Sequence, residues 1–225
     1  MRIVIAGGHG KIALRLERLL AERGHTVVGL IRNPDHANEL IAAGAEPVVC
    51  DLERAPVEEL VEHLTGADAV VFAAGAGPDS TRERTMTVDY GGAVLLADAA
   101  EDAGVRRYVI VSSIGASTHP PADTDPDFAL YLKAKGEADE DLRSRGALDL
   151  TILRPGRLTD GPGTGLIALS ESEGRGAIRR DDVAAILAEL VARPGTIGKI
   201  LEAVGGDVPV AEAVGYAAAK PGVKS

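Results

Sequence analysis

An α/β fold with a doubly wound parallel sheet is predicted for this chain by three features of its sequence. Short runs of Val, Ile and Leu alternate with amphipathic helical stretches as far as Pro155. The runs are apolar almost without interruption, as strands covered on both faces require. The connections are short, and a repeated β-α-β order with short connections gives parallel strands joined by right-handed crossovers.

The strand candidates, in order, are Arg2–Ala6, Thr26–Ile31, Glu46–Cys50, Ala67–Ala73, Arg107–Ser112 and Leu150–Leu153, with a last one near Lys199–Val204. Between the first two, Ile12, Leu16, Leu19 and Leu20 form one helical stripe. Val57, Leu60, Val61 and Leu64 form another. Pro56 suits the first turn of that helix, where its missing N–H costs nothing. After Pro155 the pattern weakens. The segment Arg157–Arg175 is rich in Gly, Pro, Ser and Thr and is expected to form loops over a crevice. Val183, Ile186, Leu187, Leu190 and Val191 then mark an amphipathic helix, and a short helix is expected from Val210. Pro221–Ser225 is expected to be a frayed tail. The 225 residues suffice for one domain, with residues 156–225 contributing a small C-terminal substrate lobe.

Composition narrows the partners. A net charge of −10 with acidic residues spread along the chain argues against a nucleic-acid binder, which needs a basic face. No apolar run approaches the ~20 residues of a membrane-spanning helix. The first strand is expected to begin at Arg2, and no signal peptide is expected. Cys50 is the single cysteine, so no intrachain disulfide forms and a cytoplasmic location is expected. One cysteine and no His-x-x-x-His pair argue against a structural zinc, and no metal is expected. The expected partner is a small-molecule substrate, and the chain is expected to be a monomer or a homodimer.

The first strand runs into Gly7-Gly8-His9-Gly10-Lys11-Ile12-Ala13. Gly7 permits a tight turn, Gly10 allows the backbone to approach a pyrophosphate, and Ala13 is small enough for the helix to pack on the sheet. The helix start then offers free N–H groups and a positive dipole end to phosphates. A glycine pattern alone is weak, but this one sits between the first strand and first helix of an alternating chain, the context that a Rossmann-type dinucleotide site requires. His9, within the turn, is read as facing solvent or phosphate. An NAD site usually has an acidic residue at the end of the second strand, on the ribose hydroxyls. Here Ile31 is followed by Arg32-Asn33-Pro34, and Arg32 can pair bidentately with a 2′-phosphate, which favours NADP over NAD. Lys11 adds charge nearby. Asp51, after the third strand, is placed at the adenine edge, with Leu52 beside it. Ala73, Ala74 and Gly75 are small enough for a cofactor to lie across the sheet edge.

Tyr131 and Lys135 are four residues apart in a helical segment and point from one face. A lysine cation near a phenol favours the phenolate, and such a tyrosine can pass a proton to a carbonyl oxygen as hydride arrives. Ser112 and Ser113 end the fifth strand on the side where ligands bind in this fold, and a serine there can hydrogen-bond the reacting oxygen. A packing role for the Tyr–Lys pair and a turn-capping role for the serines remain open alternatives at this point. His119, before Pro120-Pro121, reads as a loop residue and Cys50 as a buried strand residue. Arg154 and Arg157 flank Pro155-Gly156, where an anionic substrate would find either.

Taken in order, GGHGKIA, Asp51-Leu52, VFAAGAG, VDYGGAVLLADAAEDAGVRRYVIVSSIGAS, YLKAK and LTILRPGRLT resemble the atypical short-chain dehydrogenases/reductases. Within them the chain is most similar to the compact NAD(P)-binding group of biliverdin reductase B-like flavin reductases and NmrA-like proteins. The resemblance runs from Met1 to about Gly206. It implies an NADP site on Gly7, Gly10, Arg32, Asp51 and Ala74, a catalytic region at Ser113, Tyr131 and Lys135, and Pro155-Gly156 beside the nicotinamide. It also implies that Arg179–Ala184 shapes the substrate lobe. Two departures stand out: Ala13 replaces a last glycine, and Ser112-Ser113-Ile114 lacks a third serine or threonine. The expected function is an NADP(H)-dependent oxidoreductase passing hydride to a small carbonyl, quinone or flavin-like acceptor. The alternatives are a non-catalytic NAD(P) sensor of the NmrA type and a nucleotide-sugar epimerase or dehydratase.

Overall fold

The computed structural model describes residues 1–77 and 80–219. The tail expected at 221–225 therefore lies outside the described residues. The first half of the chain comprises β1 (Arg2–Ala6), α1 (Ala13–Glu22), β2 (Thr26–Ile31), α2 (Ala37–Ala42), β3 (Glu46–Val49), α3 (Val57–Leu64) and β4 (Ala69–Phe72). Next come a helical turn α4 (Arg82–Arg84), a π-helical stretch over Thr85–Gly91, α5 (Gly92–Asp102) and β5 (Arg107–Val111). The long α6 (Pro126–Ser144) leads to β6 (Asp149–Pro155), β7 (Arg157–Thr159), β8 (Leu166–Ser170) and β9 (Ala177–Arg179). The chain continues through α7 (Arg180–Val191), β10 (Lys199–Gly205), β11 (Val208–Pro209) and α8 (Val210–Ala219).

Nine strands form one sheet in the order β11-β8-β10-β6-β5-β4-β1-β2-β3, while β7 and β9 pair as a separate parallel ribbon. From β3 to β10 every pairing is parallel, and β8 runs antiparallel between β10 and β11. This is the doubly wound Rossmann order, with the chain reversing direction across the sheet at β1 and β4.

Alternation of side chains along the strands builds two apolar layers. Ile3 and Ile5 of β1 pack with Leu16 and Leu20 of α1 and with Val183, Ile186 and Leu187 of α7 on one face. Val4 and Ala6 pack with Leu60 and Leu64 of α3 and Leu96 of α5 on the other. Burial on both faces explains why the sequence shows continuous apolar runs. Arg107 staples the base of the sheet to α7, donating to Leu190 O and Val191 O at the helix C-terminus.

The segment expected to be loops over 157–175 contains two strands instead, β7 and β8. Leu166–Ser170 forms a short edge-proximal strand because β10 offers it an antiparallel partner, with Ala203 opposite Leu169 and Val204 opposite Ala168. Most of the residues after Pro155 thus extend or cover the sheet.

Candidate functional site

The C-terminal edge of β1 ends in Gly7, whose φ of +81° belongs to the left-handed region that glycine enters freely. A Cβ on Gly7 would fall 2.6 Å from Ala74 Cα, so the first turn and the end of β4 touch backbone to backbone. The Gly10 N–H closes the turn on Gly7 O at 2.8 Å. Helix α1 then starts at Ile12 with no side-chain cap and no acidic residue in its first turn. The Leu14 N–H is taken by Gly10 O at 3.0 Å, and the turn ahead of it stands at the positive end of the helix dipole, which favours an anion.

A cavity of about 330 Å³ opens beside this turn. Gly7, His9 and Gly10 line it from β1, Arg32 from β2, Asp51 and Leu52 from the end of β3, and Ala73, Ala74 and Gly75 from β4. Asn33, His36, Glu53, Arg84 and Val88 also line it, and none of these was singled out from sequence. The remaining expected residues lie outside this lining. Gly8 is buried behind the turn, where a Cβ would meet Gly29 Cα at 2.9 Å. Ile12 packs against the core and Lys11 pairs with Asp160 at 3.0 Å, tying the glycine turn to the loop after β7. Ser112, Ser113, Tyr131, Lys135, Pro155 and Gly156 belong to the neighbouring β5, α6 and β6 region. There Ile114 N–H donates to Pro155 O and Gly156 N–H to Ala203 O.

The charged rim at the end of β2 holds more than Arg32. Glu53 accepts from Arg84 Nη2 at 2.8 Å, from Arg32 Nη1 at 3.3 Å and from Thr87 Oγ1 at 2.7 Å. The hydrogen bonds from Arg84 hold the Glu53 carboxyl below its usual range, against the smaller opposing effect of burial. Glu53 thus lies between two guanidiniums, and Asp51 is the second carboxylate in the cavity lining. The rings of His9 and His36 stack beside it with centroids 3.5 Å apart, and His9 Nε2 lies 2.8 Å from Glu39 Oε1.

Beneath the turn, Glu17 of α1 is fully buried, and neither carboxylate oxygen has a hydrogen-bond partner among the described residues. Its Oε1 lies 2.9 Å from where a Gly8 Cβ would stand and 2.6 Å from where a Gly29 Cβ would stand. Burial pushes its pKa up to about 8.

The Tyr131–Lys135 pair is built by α6, which docks closely on the loop after β5. A Cβ on Gly136 would fall 2.3 Å from Ser117 C, and the Ser117 N–H donates to Leu132 O at 3.1 Å. The half-buried Tyr131 stacks on Phe128 with centroids 6.0 Å apart. Lys135 Nζ stands 5.9 Å from the Tyr131 ring centroid, but its direct partners are Asp89 Oδ1 at 3.0 Å and Val111 O at 3.2 Å. Burial opposes the Lys135 charge; the Asp89 carboxylate, with Tyr131 and Asp139, outweighs it and raises the lysine pKa. Asp89 comes from the π-helical stretch, a rare geometry that recurs at functional sites. Its second oxygen accepts the Ala76 N–H at 3.0 Å, linking the pair to the loop after β4.

A second buried pair lies one turn along α6. Asp139 Oδ2 accepts from Arg154 Nη2 at 2.7 Å, Arg154 Nε at 2.9 Å and Ser112 Oγ at 2.9 Å. Burial raises the Asp139 pKa, with Arg154 opposing it. Ser112 and Arg154 are therefore engaged with each other's partner, whereas Ser113 Oγ makes only a local bond to Ile114 O. His119 is exposed and its ring contacts Thr118 Oγ1. Arg157 is exposed beyond β6. The sequence signal for Asp89 was a lone acid among the largely apolar residues 88–97, whereas Asp139 stands among Lys135, Glu137, Glu140 and Asp141 and carries no such signal.

A backbone cradle of two glycines, an uncapped helix start and small residues at the end of β4 fit a nicotinamide dinucleotide. Comparison with known proteins agrees. Residues 7–194 match the NAD(P)H-binding family. A Bacillus subtilis protein named as an uncharacterized sugar epimerase, YhfK, is 35% identical over 95% of this chain and 99% of its own length. A Bacillus halodurans structure provisionally named an NAD-dependent epimerase/dehydratase is 38% identical, with a TM-score of 0.87 over 96% of this chain and 99% of that one. ChuY from Escherichia coli O157:H7, an anaerobillin reductase, is 25% identical with a TM-score of 0.78, covering 92% of this chain and 98% of its own. The chain belongs to the NAD(P)H-binding family and is an NAD(P)-binding protein of the atypical short-chain dehydrogenase/reductase kind. No helix among the described residues is long and apolar enough to cross a membrane.

Proposed function

We propose that the chain is an NADP(H)-dependent oxidoreductase that reduces a small carbonyl, quinone or flavin-like acceptor. The observation that carries this reading is the cavity at the glycine turn, whose β2 end presents Arg32 where an NAD site would present a carboxylate. Arg32 and Arg84 converge on Glu53 at that end, and their planar guanidiniums suit bidentate pairing with a 2′-phosphate. The stacked imidazoles of His9 and His36 line the same rim.

Gly7, Gly10 and the start of α1 hold the pyrophosphate, and Asp51 and Leu52 bound the adenine. The reduced nicotinamide supplies a hydride when bound. Tyr131 donates the proton to the acceptor oxygen, and Ser113 positions that oxygen by a hydrogen bond. An ammonium has three N–H groups. Two of those on Lys135 are committed to Asp89 and Val111 O, which leaves one for a ribose hydroxyl. The chain acts as a single domain, with residues 156–219 supplying the substrate side through the β7–β9 ribbon and its loops. The names of the Bacillus relatives favour a second reading, a nucleotide-sugar epimerase. Against it, the chain after Pro155 is largely spent on sheet strands and on α7 and α8, leaving short loops around a sugar-nucleotide site.

The test follows NADPH oxidation by the purified protein with flavins, quinones and aldehydes, with Tyr131→Phe in parallel. Turnover that falls by about two orders of magnitude or more in the variant, the usual worth of a general acid, supports the reductase. Tight NADPH binding with no acceptor reduced transfers the reading to a sensor. Interconversion of a sugar nucleotide without net cofactor consumption transfers it to the epimerase.

A further inference from the structure

Behind the wall of the cavity, at the end of β3, Cys50 meets two side chains of α3. Glu59 and His63 are four residues apart on that helix and so share a face. One donor atom from each of Cys50, Glu59 and His63 lies within 4.8 Å of the others. The three differ in setting: the sulfur is buried, while Glu59 and His63 are half-buried and open to solvent on the outer side. We propose that Cys50, Glu59 and His63 form a three-ligand site for one zinc-type divalent cation, with water as the fourth ligand.

The donor set selects the ion. Thiolate, imidazole and carboxylate together match the borderline-soft zinc ion, and hard ions such as magnesium prefer all-oxygen shells. Bond lengths of about 2.0–2.3 Å in a tetrahedron place ligand atoms about 3.3–3.7 Å apart, so the side chains have to close by about 1 Å. Glu59 and His63 reach inward from a helix surface and have the rotamer freedom to do so. The helix end carrying His63 is held in place, because Arg2 donates to His63 O at 2.8 Å and to Thr65 O at 3.3 Å. Charge also balances: a thiolate and a carboxylate neutralise a divalent cation, and the thiol proton passes to solvent as the ion binds. Asp51, adjacent to the sulfur in sequence, adds a further negative neighbour. The site differs from the four-ligand structural zinc that the sequence argues against, since one coordination position stays with water. Its place gives it a consequence. Cys50 also lines the cofactor cavity beside Asp51 and Leu52, so an ion here ties α3 to the cavity wall.

The experiment uses the full chain without an affinity tag, treated with chelator and then titrated with Co²⁺ alone. One equivalent should develop the near-ultraviolet charge-transfer band of a cobalt–thiolate bond, and Zn²⁺ should displace it. Cys50→Ser should abolish the band. Glu59→Gln and His63→Ala, on the helix surface, should each weaken Zn²⁺ binding by at least about tenfold. Circular dichroism of each variant shows that the fold is intact. Absence of the band in the folded wild-type chain overturns the proposal. So does Zn²⁺ affinity unchanged in a folded His63→Ala chain.

Discussion

Replacing Glu17 by Gln should separate the pH dependence of this protein's stability from that of the wild type. Glu17 is fully buried, faces the backbone of Gly8 and Gly29, and has no hydrogen-bond partner for either oxygen among the described residues. The folded state holds its proton up to about pH 8, whereas the unfolded chain releases it near 4.5. Because the folded state binds the proton more tightly, this group costs nothing below pH 4.5. Its cost grows through the window from 4.5 to about 8 and is constant above it. At about 1.4 kcal/mol per pH unit, the full window amounts to about 5 kcal/mol. Local opening that admits water lowers this, so a difference of about 3–5 kcal/mol is expected at pH 8.5. The Gln amide meets the same lack of partners as the protonated acid, so that penalty of about 1–3 kcal/mol falls on both proteins and cancels in the comparison. Urea denaturation of both proteins from pH 5 to pH 9 measures the difference. The variant's advantage should climb by several kcal/mol across that range. Two stability curves that stay parallel would refute the reasoning, since a solvated or hydrogen-bonded Glu17 predicts no such divergence.

Three further outcomes follow from the same geometry. Arg32→Ala should raise the Kd for NADPH by roughly tenfold to a hundredfold, the loss of a charge-assisted pair worth about 1.5–3 kcal/mol, and leave NADH within about twofold by fluorescence titration. An equal loss for both nucleotides would remove Arg32 from the 2′-phosphate. Gly7→Ala meets both a φ of +81° and a contact of 2.6 Å to Ala74 Cα, so binding of either nucleotide should weaken and stability fall by at least about 1–2 kcal/mol. Unchanged calorimetric titrations would count against the cradle. Asp89→Asn strands the buried Lys135 cation and should cost about 3–5 kcal/mol in denaturant unfolding, with much of it recovered by adding Lys135→Met.

Strands β1, β2, β4, β5 and β6 were legible to within a residue or two because they are buried on both faces, whereas β3 and β10 are only half-buried or alternating and were read from their apolar residues alone. Ile3, Val4, Ile5 and Ala6 must all be apolar, and no turn residue interrupts them. The glycine turn was legible for a related reason, since backbone proximity to Ala74 excludes any side chain at Gly7. Strand β8 was not legible. It lies in a stretch rich in Gly, Pro, Ser and Thr and is defined by pairing with β10, a partner beyond α7 in the chain. The rim was half legible. Arg32 announces itself as the residue after β2, but Glu53, Arg84 and His36 reach it from three other elements. No local periodicity carries that information. The Tyr–Lys spacing was visible on α6, whereas the partner that commits Lys135, Asp89, arrives from the π-helical stretch on the other side of β5.

Asp89 changes what Lys135 is able to do. A lone buried ammonium would act on Tyr131 as a full cation in a medium of low dielectric constant. Paired with a carboxylate at 3.0 Å, it acts as a dipole, and the field it projects on a ring 5.9 Å away is much reduced. The pair still keeps the lysine charged, because Asp89 more than offsets burial. Its effect on geometry is strong, since Asp89 binds Ala76 N–H and Lys135 binds Val111 O. Helix α6, the loop after β4 and the end of β5 are thereby joined at one buried point. The Arg154–Asp139–Ser112 cluster adds a second joint to β6. Tyr131 stands on a helix fixed at both points and at Gly136. This arrangement suits Lys135 to hold a ribose and to orient the phenol beside it.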